Sequence, residues 1–238
     1  MHFQVITPFP EIFDSPLSET ILKRAQDKGL IRVTIISLRN YADGKYLQLD
    51  DYPYGGGPGM VLKPEPIFRA FESLQIDRTD TTSRILFMSP QGIRLTQEKL
   101  NEFVTLKTMT ILCGRYKGVD QRIVDTWIDE EISIGDYVIS GGEFAALVVI
   151  DGITRLIPGV LGNAESAATD TFQTDLLDYP IYTRPAVWGG LSVPDVLLQG
   201  DHKKIAEWRL QQSIQKTAQQ RRDLYNKYLE KAGENKNE

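Results

Sequence analysis

The chain has 238 residues, 41% hydrophobic and 25% charged, with a formal net charge of −5. These totals suit a large folded domain or a main domain with a small companion, and the acidic balance argues mildly against a nucleic-acid binder. No apolar run is long enough to span a membrane, "MHFQVITPFPEIF" lacks the basic start and apolar stretch of a signal peptide, and the single Cys113 leaves no internal disulfide, so no membrane partner and a cytoplasmic location are expected.

In chain order, "HFQVIT" reads as a first strand. "SPLSETILKRAQDKG" reads as one helix, with Ser15 as N-cap, Pro16 at the first helical position and Gly29 as the stop. "LIRVTII" is a strand with Ile31, Val33 and Ile35 on one face. A long polar segment from Arg39 to Lys63 follows and contains "DYPYGGGPGM". Four glycines within five positions mark either a slack connector or a backbone that must come close to something. "PEPIFRAFESL" puts Ile67, Ala70, Phe71 and Leu74 at helical spacing. "SRILFMS" is a short buried strand followed by the turn "PQG", and "TQEKLNEFVTL" is a helix capped by Thr96. "MTILCG" is the next strand, in which Cys113 reads as a packed thiol rather than a nucleophile. "GVDQRIVDTWI" is a helix, "EEISI" a strand and "GEFAALVVIDGITRLI" an apolar helix.

Strands alternating with helices to about residue 158 imply an α/β fold with a largely parallel sheet. From Pro158 to about Tyr182 the chain turns small and polar, as a mobile linker would. Beyond it, Ile205, Trp208 and Ile214 share a helical face, which suggests a small helical domain. The expected division is therefore 1–160, 161–180 and 181–238. The last stretch, Asp201–Glu238, carries nine Lys/Arg against six Asp/Glu, a net of +3, and residues 1–200 carry 18 against 26, a net of −8. A basic segment on an acidic body reads as a solvated helix of mixed charge or as a local phosphate-holding surface.

Open α/β sheets bind ligands beyond the carboxyl ends of their strands. Three such ends are rich in Gly or Pro: "SPQG" (89–92), "CGRYKGVD" (113–120) and "SIGDYVISGGE" (133–143). "GGGPGM" is neither a phosphate-binding P-loop nor a dinucleotide fingerprint. His2 and His202 stand at opposite ends of the sequence, so a histidine triad or zinc cluster is not expected. What remains is a site of carboxylates, arginines and backbone, suited to transferring a group already activated by a cofactor.

The runs "DDYPYGGGPGM", "SPQG", "LCGRYKGVD", "DEEISIGDYVISGGE", "RLIPGVLG", "LLDYPIYTRP" and "HKKIAEWRLQQS" span almost the whole chain in order. Together they closely resemble the bacterial tRNA (guanine-N1)-methyltransferases of the TrmD type, within the SPOUT superfamily. The resemblance implies a SPOUT-type parallel sheet with a deep trefoil knot, plus a small C-terminal helical domain that binds tRNA. It implies a homodimer with its active site between subunits, S-adenosylmethionine as methyl donor, and methylation of the guanosine at position 37 of tRNA. A related SPOUT methyltransferase acting on another RNA or another atom, and a catalytically silent RNA-binding homologue, are the alternative readings.

Carried over to this chain, the cofactor-binding positions are Ser89, Pro90 and Gln91; Gly114, Arg115 and Tyr116; and Ile134, Gly135, Asp136, Tyr137, Val138, Ile139, Gly141 and Gly142. Core packing is the other role open to Ile134, Val138 and Ile139. Asp170 in "SAATDTF" matches the family's general base, which takes the N1 proton of guanine as the methyl arrives. Arg155 matches an arginine that stabilises charge building on O6. By local rules alone, Asp170 would make an Asx-turn and Arg155 would sit at a helix C-terminus. The linker is expected to order over 163–178 when tRNA binds, with Lys203, Lys204, Arg209 and Lys216 on phosphates. The "YGGGPGM" loop is expected near cofactor and guanine, its glycines allowing close approach. One departure stands out: the family commonly has Glu where this chain has Lys117, a position tied to magnesium and to the methionine end. Direct magnesium coordination is not expected there, and magnesium stays open as an additional cofactor.

Overall fold

A computed structural model describes residues 1–162, 171–172 and 175–234. The chain divides into two compact units, Met1–Ala164 and Glu165–Glu238.

The first unit is built on a five-stranded sheet. Its strands are β1 (His2–Thr7), β2 (Arg32–Ser37), β5 (Ser83–Arg94), β6 (Thr108–Cys113) and β7 (Glu130–Ser133), in the order β2-β1-β6-β5-β7. All pairings in it are parallel. A parallel sheet needs both faces covered, and the alternation of side chains along the strands supplies both. Val5, Leu86, Met88, Ile111 and Cys113 point into one core, which α2 (Thr20–Asp27) and α6 (Glu143–Thr154) cover with Leu22, Ala25, Val149 and Ile153. Ile6, Ile85, Phe87 and Leu112 point into the other, covered by α3 (Pro64–Ser73) and α5 (Gln121–Trp127) through Ile67, Phe71 and Ile123. Phe71 stacks on Trp127, with centroids 4.9 Å apart and planes 7° from parallel. Between β5 and β6 runs α4 (Gln97–Phe103), whose N-cap Thr96 accepts from the Lys99 N–H as predicted.

Three local expectations are corrected. The helix predicted from Ser15 is broken: a 3-10 turn (Pro10–Phe13) leads into a single turn, α1 (Asp14–Leu17), and α2 starts afresh after the extended Glu19. Ser18 closes the first piece by donating both its hydroxyl (2.9 Å) and its N–H (3.2 Å) to the Ser15 carbonyl, a local bond that competes with helix continuation. Gly29 ends α2 as expected, at φ +67°. The polar segment 39–63 contains a small hairpin, β3 (Asp50–Asp51) with β4 (Val61–Leu62), around the glycine run. And "SRILFMSPQGIR" is one strand rather than strand plus turn. Met88 and Ile93 both pair with Ile132, so Ser89–Gly92 is looped out between them before the strand rejoins β7.

In the second unit, a hairpin of β8 (Val187–Trp188) and β9 (Leu191–Ser192), absent from the sequence reading, precedes two helices. These are α7 (His202–Gln220), capped by Asp201, and α8 (Arg222–Glu234). The predicted face Ile205, Trp208 and Ile214 is only half-buried. The buried positions of α7 are instead Ser213 and Thr217, and the Thr217 hydroxyl donates to the Ser213 carbonyl (2.6 Å) and accepts from the Leu177 N–H (2.9 Å). Among the described residues no helix is long and apolar enough to cross a membrane.

Candidate active site

Because the sheet is parallel, the carboxyl ends of β5, β6 and β7 lie along one edge. The three segments that leave them close around a cavity of about 190 Å³, more than ten times what one water needs. Of the fourteen cofactor-binding positions expected from the sequence, thirteen line this cavity. The exception is Asp136, which forms an ion pair with Arg94. Lys117, Glu131 and Ser140 also line it and were not among those positions.

The walls are made by close backbone approach. A Cβ on Gly92 would lie 2.3 Å from the Glu131 carbonyl carbon and 2.5 Å from the Ile132 nitrogen, so the looped-out segment crosses directly over β7. Residues 113–116 and 140–142 are zipped together by a bridge between Arg115 and Gly141 and by the Gly142 N–H, which donates to the Gly114 carbonyl (2.9 Å). Ser133 folds its hydroxyl onto the Gly135 carbonyl (3.0 Å), which starts the third wall.

One buried ion pair lies behind these walls, and it was missed from sequence. The Glu143 carboxylate, on the first residue of α6, is fully buried. It stands 3.2 Å from the Arg115 Nε and accepts from the Thr7 hydroxyl at 2.9 Å. The Arg115 guanidinium lies 4.4 Å from the centroid of the Phe9 ring and donates to the Ser140 carbonyl (3.3 Å). The available signal was an acid directly after Gly-Gly at the head of a largely apolar helix. Burial, and then the Glu143 charge, push the Cys113 thiol well above its ordinary range, and Arg115 partly offsets them. Cys113 is thus an inert packed thiol, as read from sequence.

The glycine-rich loop flanks the cavity. Lys117 N–H donates to the Met60 carbonyl (3.0 Å), and Leu62 N–H to that of Gly118 (3.0 Å). Gly55, Gly56, Gly57 and Gly59 all have positive φ, between 78° and 107°. At the first three a Cβ would meet nothing, so there the backbone conformation, not close approach, calls for glycine. Only at Gly59 would a Cβ press on the stem of Lys117, at 2.9 Å. Tyr116 is tied to the same hairpin: partial burial and then the Asp50 charge raise its phenol.

The two catalytic candidates are placed differently. Arg155 is the C-cap of α6, about 18 Å along the helix axis from the cavity end at 1.5 Å per residue, and it does not line the cavity. Asp170 lies outside the described residues, as does most of the 163–178 segment. The residues just after it are held within the second unit. Thr171 donates to Asp178 (2.5 Å), Lys216 to the Asp178 carbonyl (3.0 Å), and Asp175 pairs with Lys227 (3.0 Å) and Lys231. Of the predicted phosphate contacts, Lys216 is thereby engaged, Lys204 pairs with Asp201 (3.4 Å), and Arg209 stacks over Tyr179 at 4.8 Å.

The donor set decides what the cavity can hold. Among the described residues no cluster of three or more His, Cys, Asp or Glu side chains could hold a metal. Among the described residues Glu131 is the only carboxylate lining the cavity, and it shares it with the Lys117 ammonium. Magnesium takes near-octahedral oxygen ligation, usually with one or two carboxylates, and among the described residues a lone carboxylate beside an ammonium fits it poorly. A nucleoside-type ligand fits better: Phe87, Ile134, Val138 and Ile139 offer apolar surface, and the glycine-walled loops bring main-chain donors and acceptors close.

Comparison with known proteins agrees with this geometry. The sequence matches the family described as tRNA (guanine-1)-methyltransferase TrmD over residues 1–227. It is 47% identical over 228 residues to a tRNA (guanine-N(1)-)-methyltransferase of Geobacillus kaustophilus, covering 96% of this chain and 93% of the relative. The enzymes of the same name from Clostridioides difficile (46%, covering 97% and 100%) and Staphylococcus haemolyticus (49%, covering 96% and 92%) are similar over comparable spans.

Proposed function

The chain belongs to the TrmD family of tRNA (guanine-1)-methyltransferases, and from that premise we propose that it methylates N1 of the guanosine at position 37 of tRNA, beside the anticodon, using S-adenosylmethionine. The observation that carries this reading is the closure of residues 89–91, 114–116 and 134–142 around one glycine-walled cavity. Bound there, S-adenosylmethionine would supply an electrophilic methyl group on a sulfonium. The thirteen lining positions would hold it, largely by main-chain groups that need no particular side chain.

The protein's own task is to make guanine N1 nucleophilic. At neutral pH that nitrogen bears a proton. In this reading the Asp170 carboxylate removes it as the methyl is transferred. Charge then accumulates on O6, and the Arg155 guanidinium stabilises it. Arg155 stands at the far end of α6 from the cavity of its own protomer, which is the arrangement that an active site shared by two protomers requires. The outer face of α6 supports a homodimer: Phe144 and Val148, one turn apart, are 58% and 47% exposed on a helix that is apolar nearly all round. The close crossing of Gly92 over β7 and the four-residue loop-out in β5 support a knotted path through the cofactor site. The division into a cofactor domain (1–160), a catalytic linker (161–180) and a tRNA-binding helical domain (181–238), and a cytoplasmic location, complete the reading.

The test is methyl transfer from labelled S-adenosylmethionine to a tRNA transcript carrying G37 and to the same transcript carrying A37. Transfer to the first alone, lost by at least about a hundredfold in Asp170→Ala, is expected. Equal transfer to both, or full turnover by Asp170→Ala, would overturn the proposal.

A further inference from the structure

An arginine in the wall of a cavity meant for a sulfonium is an electrostatic problem. Arg115 lines the cavity, and the cofactor proposed above carries its methyl on a positively charged sulfonium. The structure holds a counter-charge directly behind that wall. Glu143 is fully buried, 3.2 Å from the Arg115 Nε, and the Arg115 side chain is 16% exposed. A buried carboxylate is costly unless paired and hydrogen-bonded. Here Oε1 accepts from the Thr7 hydroxyl and from the Arg115 Nε (3.4 Å), whereas Oε2, although in ion-pair contact with Arg115, has no hydrogen-bond partner. One oxygen of this buried carboxylate is thus left without a hydrogen bond, which stability alone does not call for.

The glycines of the wall are fitted to it. A Cβ on Gly141 would lie 2.3 Å from the Arg115 Nε and 2.5 Å from the Glu143 Oε2, so only glycine lets the 140–142 backbone lie across the pair. Gly142 would likewise press on the Cys113 Cα at 2.9 Å. The other groups facing the carboxylate are the Thr7 hydroxyl and the Cys113 thiol, and the thiol is kept protonated by burial. Arg115 is thus the only cation in contact with Glu143 among the described residues, and it reaches the cavity.

We infer that Glu143 is a positioning and charge-compensating residue: it anchors Arg115 against the wall and cancels its charge so that the cavity accepts a sulfonium. Glu143 touches no ligand itself. The inference rests on the reading that the cavity binds S-adenosylmethionine. It adds that the ligand's charge is sensed through a pair behind the wall.

The experiment is calorimetric titration of the full-length protein and its variants with two ligands of nearly one shape. S-adenosylmethionine carries the sulfonium, and S-adenosylhomocysteine has a neutral sulfur in its place. In Glu143→Gln the uncompensated Arg115 charge is expected to weaken S-adenosylmethionine about tenfold, the effect of one unit charge roughly 10 Å away at an effective dielectric of about 20. S-adenosylhomocysteine is expected to change by less than about threefold. The double variant Arg115→Gln/Glu143→Gln, which buries no charge there, is expected to return the ratio of the two dissociation constants to within about twofold of the wild-type ratio. Equal weakening of both ligands by Glu143→Gln would make Glu143 merely structural and overturn the inference. Should that variant unfold, a double-variant ratio about tenfold from wild type would overturn it as well. Wild-type protein that binds neither ligand would refute the cofactor reading instead.

Discussion

Replacing Gly92 by alanine adds one methyl group at the end of the loop-out in β5, where the chain passes over β7. The new Cβ would sit 2.3, 2.4 and 2.5 Å from three backbone atoms, the carbon and oxygen of Glu131 and the nitrogen of Ile132. No rotamer change relieves a contact with backbone, so the crossing segment has to lift by about 1 Å to reach ordinary van der Waals distance. Lifting it strains the pairings of Ile93 with Ile132 and Arg94 with Ser133, and the Leu95 N–H bond to the Ser133 carbonyl (2.8 Å). At about 1 kcal/mol net for each such bond, the loss is about 2–3 kcal/mol, which matches the usual cost of overpacking. In a unit of this size that lowers Tm by roughly 5–10 °C. The same movement carries Ser89, Pro90 and Gln91 out of the cavity wall, so binding of S-adenosylhomocysteine weakens in parallel. The control is Gly162→Ala in the same unit, where an added Cβ meets nothing within 4 Å. Circular dichroism melts and calorimetric titration of the three proteins measure both effects. If Gly92→Ala melted within about 1 °C of Gly162→Ala and bound normally, the crossing would not be a tight contact and the argument for the cavity's first wall would fail.

Two further outcomes follow from the titratable groups. Cys113 is held protonated by burial and by the Glu143 charge, and the thiolate is the reactive form. Its reaction with a disulfide reagent at pH 8 is therefore expected to be slow in the native protein and fast in denaturant, and rapid native labelling would contradict the buried placement. At the junction of α7 and α8, Asp223 takes a bidentate contact from Arg221 (2.9 and 2.6 Å), which lowers its carboxyl to about 2. A carboxyl depressed on folding contributes stability that is present above its unfolded value of about 3.9 and lost as pH falls through the folded value. Carboxyl NMR should thus find Asp223 still ionised at pH 3, with the junction loosening only near pH 2. A midpoint near 4 would show that the Arg221 contact does not persist in solution.

What the sequence made legible was the part governed by neighbours. The one-face pattern of "LIRVTII" and the short runs "HFQVIT", "SRILFMS", "MTILCG" and "EEISI" give the five strands of the main sheet, and the Gly/Pro-rich segments after the last three mark the edge where the cavity lies. Thr96 as a cap and Gly29 as a stop are local rules that held. The break at Ser18 was missed because a serine that closes a turn and one that continues a helix look alike in a string. The β3–β4 and β8–β9 hairpins were missed because two-residue strands leave no periodicity to detect.

The glycines show where such reading stops. Gly55–Gly57 and Gly141–Gly142 look equivalent as short runs, and each could answer either to an unusual φ or to a close neighbour. The structure separates them: the first run has positive φ and empty surroundings, the second has ordinary φ and an ion pair or a Cα where a Cβ would go. Glu143 directly after Gly-Gly is the only nearby hint, because its partners lie far off in sequence, Arg115 at 28 positions and Thr7 at 136. A glycine demanded by φ tolerates another residue of left-handed habit, such as Asn, at modest cost. One demanded by contact tolerates none. Asparagine at Gly56 should therefore leave the fold and cavity intact, whereas at Gly141 it must displace the charge pair on which cofactor discrimination is argued to depend.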